Sequence, residues 1–233
     1  SVSVLIAVLT ERIAYKPLRG APRLMPLITA LGASFFWQYY FRGLFGSQIK
    51  PFPRIAQLEG TVSFLNTEVL KTHVVVIAVT IVVLIGLSYF INNTRTGTAI
   101  RAVAENKDVA ALMGINVDRT ITITFATGAT MAGVAGVLYA LAFHQVHFFM
   151  GFIPGIKAFT AAVLGGIGSI PGAAVGGLLL GMFESVGPSL FLESLGIPAF
   201  NQLKDVIAFT MLVLILIFRP QGIMGEKLSE NKA

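Results

Sequence analysis

No cysteine occurs in the 233 residues, which excludes a disulfide framework, a thiol nucleophile and any cysteine-ligated metal or iron–sulfur centre. Charge is scarce as well. Asp, Glu, Lys and Arg make up 12% of the chain, while 55% is hydrophobic, against about 25% charged residues in an ordinary soluble domain. A chain this apolar, with a net charge of only +6, is not a disordered one. The 24 glycines follow no G-X-Y period, so collagen is excluded too. No G-x-x-x-x-G-K-[ST] stretch is present, and the chain cannot cradle ATP phosphates by that mechanism. The pI of about 9.8 raises nucleic acid as a partner, but the 17 Lys and Arg residues lie in short clusters between long uncharged runs. That distribution belongs to membrane proteins and makes lipid the expected surroundings, with no nucleic acid.

A helix rising 1.5 Å per residue crosses a bilayer core of about 30 Å in about 20 residues. Thr72 to Ile91 is 20 uncharged residues rich in Val and Ile, the clearest span. Leu24 to Phe41 gives another, with Trp37, Tyr39 and Tyr40 at one end like an interfacial aromatic belt, and Thr120 to Phe143 a third. Ala158 to Phe183 is also uncharged, but LGGIGSIPGAAVGG in its middle cannot continue one straight helix. Two segments joined near Ser169 to Pro171 are expected, the second from about Gly172 to Val186. Val206 to Phe218 must borrow from Ala199 to Asp205 to cross, with Lys204 and Asp205 at the interface. Val2 to Thr10 is half a span, and because the chain starts inside an apolar run without a methionine, an N-terminal portion is expected to be missing.

Basic residues set the orientation. Arg12, Lys16, Arg19 and Arg23, then Arg95, Arg101, Lys107 and Arg119, then Arg219, Lys227 and Lys232, hold 11 of the 17 and are cytoplasmic by the positive-inside rule. Phe45 to Lys71, His144 to Ile156 and Pro188 to Gln202 then lie outside, which requires Ala158 to Val186 to cross twice. The fold class that follows is all-α: a polytopic bundle with a broken glycine-rich helix pair and a cytoplasmic coupling segment, in one membrane domain over 1–233.

The spans hold almost nothing that does bond chemistry. Glu184 is their only acid, close to an outer end and expected to contact water, so no relay of intramembrane charges is available to a proton-coupled carrier. His144 and His147 lie three apart, with no Asp, Glu or Cys nearby to complete a metal site; with Phe148, Phe149 and Phe152 they read as interfacial residues or docking contacts. Small residues recur every four positions: Gly128, Ala132, Gly136 and Ala140 on one helix, and Ala173, Gly177, Gly181 and Ser185 on another. Such stripes let neighbouring backbones approach closely, serving either static packing or helices that rock around a substrate path. Gly165, Gly166 and Gly172 at the break offer either backbone contacts for a substrate or a plain cytoplasmic turn.

The loop over 92–118 is too organised for a connector. Ile100, Val103 and Ala104 fall at helical spacing, as do Val109, Leu112 and Met113, so two short amphipathic helices fit. Asn106 is placed to cap the second, Asp108 lies in its positive first turn, and Gly114 ends it in a left-handed conformation. Ala110, Leu112 and Met113, if exposed, need a surface: their own bundle or another protein's groove.

These residues resemble a known family. RAVAENKDVAALMGI at Arg101 to Ile115 and GFIPGIKAFTAAVLGGIGSIPGAAVGGLLLGMFES at Gly151 to Ser185 are similar to permease subunits of binding-protein-dependent ABC importers for branched-chain amino acids. ERIAYKPLR at Glu11 to Arg19 and FRPQGIMG at Phe218 to Gly225 add weaker matches. The resemblance implies a bacterial inner-membrane subunit that is not itself an enzyme and needs no cofactor, paired with a second homologous permease, two cytoplasmic ATPases and a periplasmic substrate-binding protein. It makes Arg101, Glu105, Asn106, Ala110, Leu112 and Gly114 the expected ATPase-coupling residues, and ATP-driven closure of the ATPases the source of motion. A stand-alone secondary carrier or channel is the alternative. An intramembrane enzyme fits poorly, because the spans lack a base, a partnered nucleophile or metal ligands.

Overall fold

The computed structural model describes residues 1–18, 24–53, 60–64, 67–166, 168–188, 206, 210, 213, 214, 217 and 222–224. Most of the expected last span, Val206 to Phe218, and of the FRPQGIMG stretch lies outside them. The chain divides into two compact units, Ser1–Met150 and Gly151–Ala233.

In the first unit, helix α1 (Val2–Thr10) runs into a π-helical turn at Glu11–Tyr15 and a short 3₁₀ turn at Lys16–Leu18. Helix α2 (Leu24–Phe45) follows, with Pro26 in its first turn, where a missing N–H costs nothing. Its aromatic run is self-stacked, Phe36, Trp37, Tyr40 and Phe41 meeting edge to face or face to face. The Trp37 indole donates to Thr10 Oγ1 at 2.9 Å, which fastens α2 to the end of α1. Strand β1 (Lys50–Pro51) and a hairpin of β2 (Thr61–Phe64) and β3 (Thr67–Leu70) lead into α3 (Lys71–Asn93). Two short helices, α4 (Arg95–Glu105) and α5 (Lys107–Leu112), precede the long α6 (Val117–Phe143). Strand β4 (Gln145–Val146) returns to pair antiparallel with β1.

Helix α1 lies antiparallel along α6. Ser3 Oγ donates to the Ala129 carbonyl at 2.6 Å, and further along the chain Tyr15 packs on Phe125 with ring centroids 5.1 Å apart. The closest glycine on α6 is Gly133, where an added Cβ would sit 3.3 Å from Ser3. Gly128 and Gly136, expected on the packing stripe, have nothing within 4 Å of such a Cβ. Ala129 and Gly133 make the close approach to α1, Gly128 and Ala132 line the groove beside it, and Ala140 of the expected row is buried.

In the second unit, α7 (Phe152–Gly165) and α8 (Ile170–Pro188) form an antiparallel hairpin, as the break near Pro171 requires. Gly166 and Gly168 take positive φ of 108° and 99° at the turn, and Pro171 sits in the first turn of α8. The helices touch backbone to backbone. A Cβ on Gly165 would collide with the Gly172 carbonyl, and one on Gly176 with the Ala161 carbonyl. Here the tight row is displaced, since Gly177 only reaches Ala161 Cβ at 3.9 Å and Gly181 faces open space. Leu164, with no exposed surface, Ala161 and Leu180 form the core of this unit.

Among the described residues, three helices combine the length and apolarity to cross a membrane: Lys71–Asn93, Val117–Phe143 and Ile170–Gly187. None of the most apolar window of Lys71–Asn93 is buried within the chain. An all-apolar helix with no protein cover is stable only against lipid or other subunits.

The corner between α3 and α4 is the sharpest joint in the first unit. Thr94 donates to the Phe90 carbonyl at 2.6 Å and accepts from the Gly97 amide at 3.0 Å, and any Cβ on Gly97 would strike the Phe90 and Ile91 carbonyls. Gly97→Ala is expected to destabilise the purified protein by about 1–3 kcal/mol, the usual cost of overpacking, seen as a lower thermal unfolding midpoint in detergent. Gly86→Ala, at a helical position with open space beside it, leaves the midpoint unchanged or raises it.

Candidate coupling segment

Between two membrane-length helices the chain makes three consecutive side-chain caps. Thr94 caps α4; Asn106 Oδ1 accepts from the Asp108 and Val109 amides at 3.0 and 3.1 Å and caps α5; Asn116 Oδ1 accepts from the Arg119 amide at 3.0 Å and caps α6. Each satisfies amides that a helix start leaves without partners. Asp108 lies in the first turn of α5, where the macrodipole favours a negative charge. The far end closes as a Schellman turn, in which the Gly114 amide donates to the Ala111 carbonyl and the Ile115 amide to the Ala110 carbonyl, with Gly114 at φ 83°. The expected Asn106 cap and left-handed Gly114 are both present. The result is a segment with fixed backbone at both ends.

One expectation is corrected. Ala110 is not part of an exposed apolar face but is buried at 3% exposure, as is Val103 at 6%. The outward face is Val109, Leu112 and Met113, with Leu112 at 87% and Met113 at 78% exposed, joined by the exposed Arg101, Glu105 and Asn106. Positions i, i+3 and i+4 share a face, and Ala110 belongs to the opposite one, which turns toward the rest of the unit.

A residue that sequence reading passed over holds the base of this segment. Glu11 is completely buried and accepts a hydrogen bond from Thr122 Oγ1 at 3.0 Å. Lys16 pairs with Asp118 at 3.2 Å. These groups, with Arg12, Asn116 and Arg119, line a cavity of about 410 Å³ directly beside the Asn116 cap. A carboxylate is buried only when its oxygens are satisfied, so the ERIAYK stretch is a polar joint that ties the start of α6 to the end of α1. The available signal was a single acid embedded in a run of basic residues at a membrane boundary.

The break in the second unit is occupied from within the chain. The Ile223 and Met224 amides donate to the Leu164 and Gly165 carbonyls, each at 2.9 Å, and Gly222, at φ 77°, packs on Gly166 with no room for a Cβ. The Leu164 and Gly165 carbonyls at the end of α7 are thus hydrogen-bonded by the GIM of the tail. Gly165, Gly166 and Gly172 lie at the turn between α7 and α8. His144 ends α6 in the left-handed region at φ 55°, and its carbonyl accepts from the Phe52 amide at 3.0 Å.

Asn106→Ala leaves the Asp108 and Val109 amides without their acceptor and is expected to cost about 1 kcal/mol of local stability, read as faster hydrogen exchange at those two amides. Asn106→Asp restores the protection, because a carboxylate accepts the same bonds.

Comparison with known proteins agrees with this geometry. The family model described as "Branched-chain amino acid transport system / permease component" matches residues 1–216. The high-affinity branched-chain amino acid transport system permease protein BraD of Pseudomonas aeruginosa is 44% identical over 219 residues, covering 93% of this chain and 69% of that protein. LivH of Escherichia coli, of the same description, is 42% identical over 219 residues, 93% of this chain and 68% of its own length. The autoinducer 2 import system permease protein LsrC of Yersinia pseudotuberculosis is 31% identical over 152 residues, 60% of this chain and 39% of that protein. No solved structure matches. A chain matched over 216 of its residues, with capped helices between apolar spans, belongs to the permease-component family of branched-chain amino acid transport systems.

Proposed function

We propose that the chain is the passive membrane gate of an ABC importer that brings branched-chain amino acids across the bacterial inner membrane, moved by ATP hydrolysis on separate subunits. The observation that carries this reading is the doubly closed α5, which presents Leu112 and Met113 almost fully exposed. Exposed apolar side chains on a rigid, short helix are what a partner's groove binds. Two ATPases on the cytoplasmic side are the partners of that face, a second homologous permease completes the pathway, and a periplasmic binding protein delivers the amino acid. The positive-inside arrangement of Arg95, Arg101, Lys107 and Arg119 supports a cytoplasmic position for α5.

The mechanism follows from stiffness. Closure of the ATPases displaces α5, and the caps at Thr94, Asn106 and Asn116 keep the displacement from being absorbed by bending. The Glu11 joint then passes it to α1 and α6 together, so that the pathway alternates between two packed arrangements. Arg101, Glu105 and Gly114 act as the rim and the end stop of the docking face in this reading.

In the reconstituted importer, Leu112→Asp and Met113→Asp are each expected to lower amino-acid uptake by about tenfold or more, because a charge is desolvated in an apolar groove, while membrane insertion persists. Loss of crosslinking between a cysteine introduced at Val109 and the ATPase accompanies the effect. Wild-type uptake by these variants refutes the docking assignment, and uphill transport by liposomes holding this chain alone favours a stand-alone carrier instead.

A further inference from the structure

The α7–α8 hairpin carries an ion pair in addition to its backbone contacts. Lys157 Nζ lies 2.7 Å from Glu184 Oε1, each side chain only partly accessible at 21% and 28%. The two residues are 27 apart in sequence and meet because the helices are antiparallel. The hairpin is already held by the Gly165–Gly172 and Ala161–Gly176 backbone contacts and by Leu164. Partly buried ion pairs add little stability, since desolvation offsets their attraction, and apolar replacements are often neutral or better. Charges kept inside a membrane helix pair point instead to recognition.

The position suits a solute entering from the outer side. Glu184 stands four residues before the end of α8 at Pro188, about 6 Å of helix rise, and Lys157 is in the second turn of α7. Ile153, one helical turn before Lys157 on the same face, is 48% exposed. Gly181, three residues before Glu184, has no atom within 4 Å of the place a Cβ would take. Ile153 and Lys157 thus lie on one face of α7, Gly181 and Glu184 lie on one face of α8, and the ion pair brings the two faces together.

We infer that Lys157 and Glu184 form a zwitterion relay: an α-amino acid opens the pair, its carboxylate replacing Glu184 on the Lys157 ammonium and its ammonium replacing Lys157 on the Glu184 carboxylate. This rests on the amino-acid importer reading above. The exchange forms and breaks no covalent bond and moves no proton. It keeps the charge count of the site unchanged, so the solute sheds water without leaving any charge unpaired. The aliphatic side chain of the solute lies against Ile153 in the space beside Gly181.

The test uses the complete importer in proteoliposomes, with its binding protein and ATPases, and measures leucine uptake and binding-protein-stimulated ATP hydrolysis. Lys157→Met, Glu184→Gln and the double variant are each expected to lower uptake by about tenfold or more, an interaction loss of at least about 1.4 kcal/mol, while stimulated hydrolysis continues. The exchanged pair Lys157→Glu with Glu184→Lys rebuilds the ion pair with its charges transposed, and uptake is expected to stay low. Gly181→Leu, which fills the open space, is expected to lower uptake of leucine more than uptake of a smaller amino acid that the binding protein also delivers. Wild-type uptake by the exchanged or the neutral double variant overturns the relay and makes the pair a structural clamp. Failure of the wild-type importer to carry leucine at all overturns the importer reading itself, a different result from normal transport by the variants.

Discussion

Backbone polarity in an apolar medium is the constraint from which the rest of this structure follows. A membrane helix satisfies its own amides and carbonyls everywhere except at its ends, so each point where the chain leaves a helix must supply partners. Here the partners are specific. Thr94, Asn106 and Asn116 cap three successive helix starts, and the Gly114 turn and the left-handed His144 close two helix ends. The amides of Ile223 and Met224 close the end of α7 from almost sixty positions further along the chain. These closures tie the connections to the helices they join, which is what the proposed lever requires.

The parts that were legible in the sequence are those governed by local rules. The Val- and Ile-rich run at Thr72 to Ile91 became α3, the density of glycine with Pro171 became the hairpin turn, and the pattern around Asn106 and Gly114 became a capped six-residue helix. Each depends on residues within a few positions of one another. What was not legible depends on residues brought together by packing. Glu11 and Thr122 are 111 apart, Lys157 and Glu184 are 27 apart, and nothing local marks either pair. The glycine stripes show the limit most clearly. Four-residue spacing is satisfied equally by Gly177 and Gly181 and by Gly172 and Gly176, and only the partner's position selects the second row.

That selection has a functional consequence. With Gly172 and Gly176 spent on close contact with α7, the adjacent row at Gly177 and Gly181 is left less covered on the same helix. A helix made of small residues on two neighbouring rows can thus bind its hairpin partner with one and leave room for something else with the other. On α6 the row at Ala129 and Gly133 makes the close approach to α1, while a Cβ on Gly128 or Gly136 would meet nothing within 4 Å. Small residues beyond those needed by the hairpin are consistent with a surface that a second permease or a moving helix approaches.

The two units place different demands on their charged groups. At the base of α6 the buried Glu11 and the Lys16–Asp118 pair join segments that must move as one body, and there a polar network favours a single geometry. In the α7–α8 hairpin the Lys157–Glu184 ion pair stands beside helices that also touch backbone to backbone. Related permeases share sequence across different named cargoes, as the branched-chain amino acid and autoinducer 2 systems show. In the proposed relay the Lys157–Glu184 pair meets the solute, while the contacts of Gly165 with Gly172 and of Gly176 with Ala161 hold the two helices together.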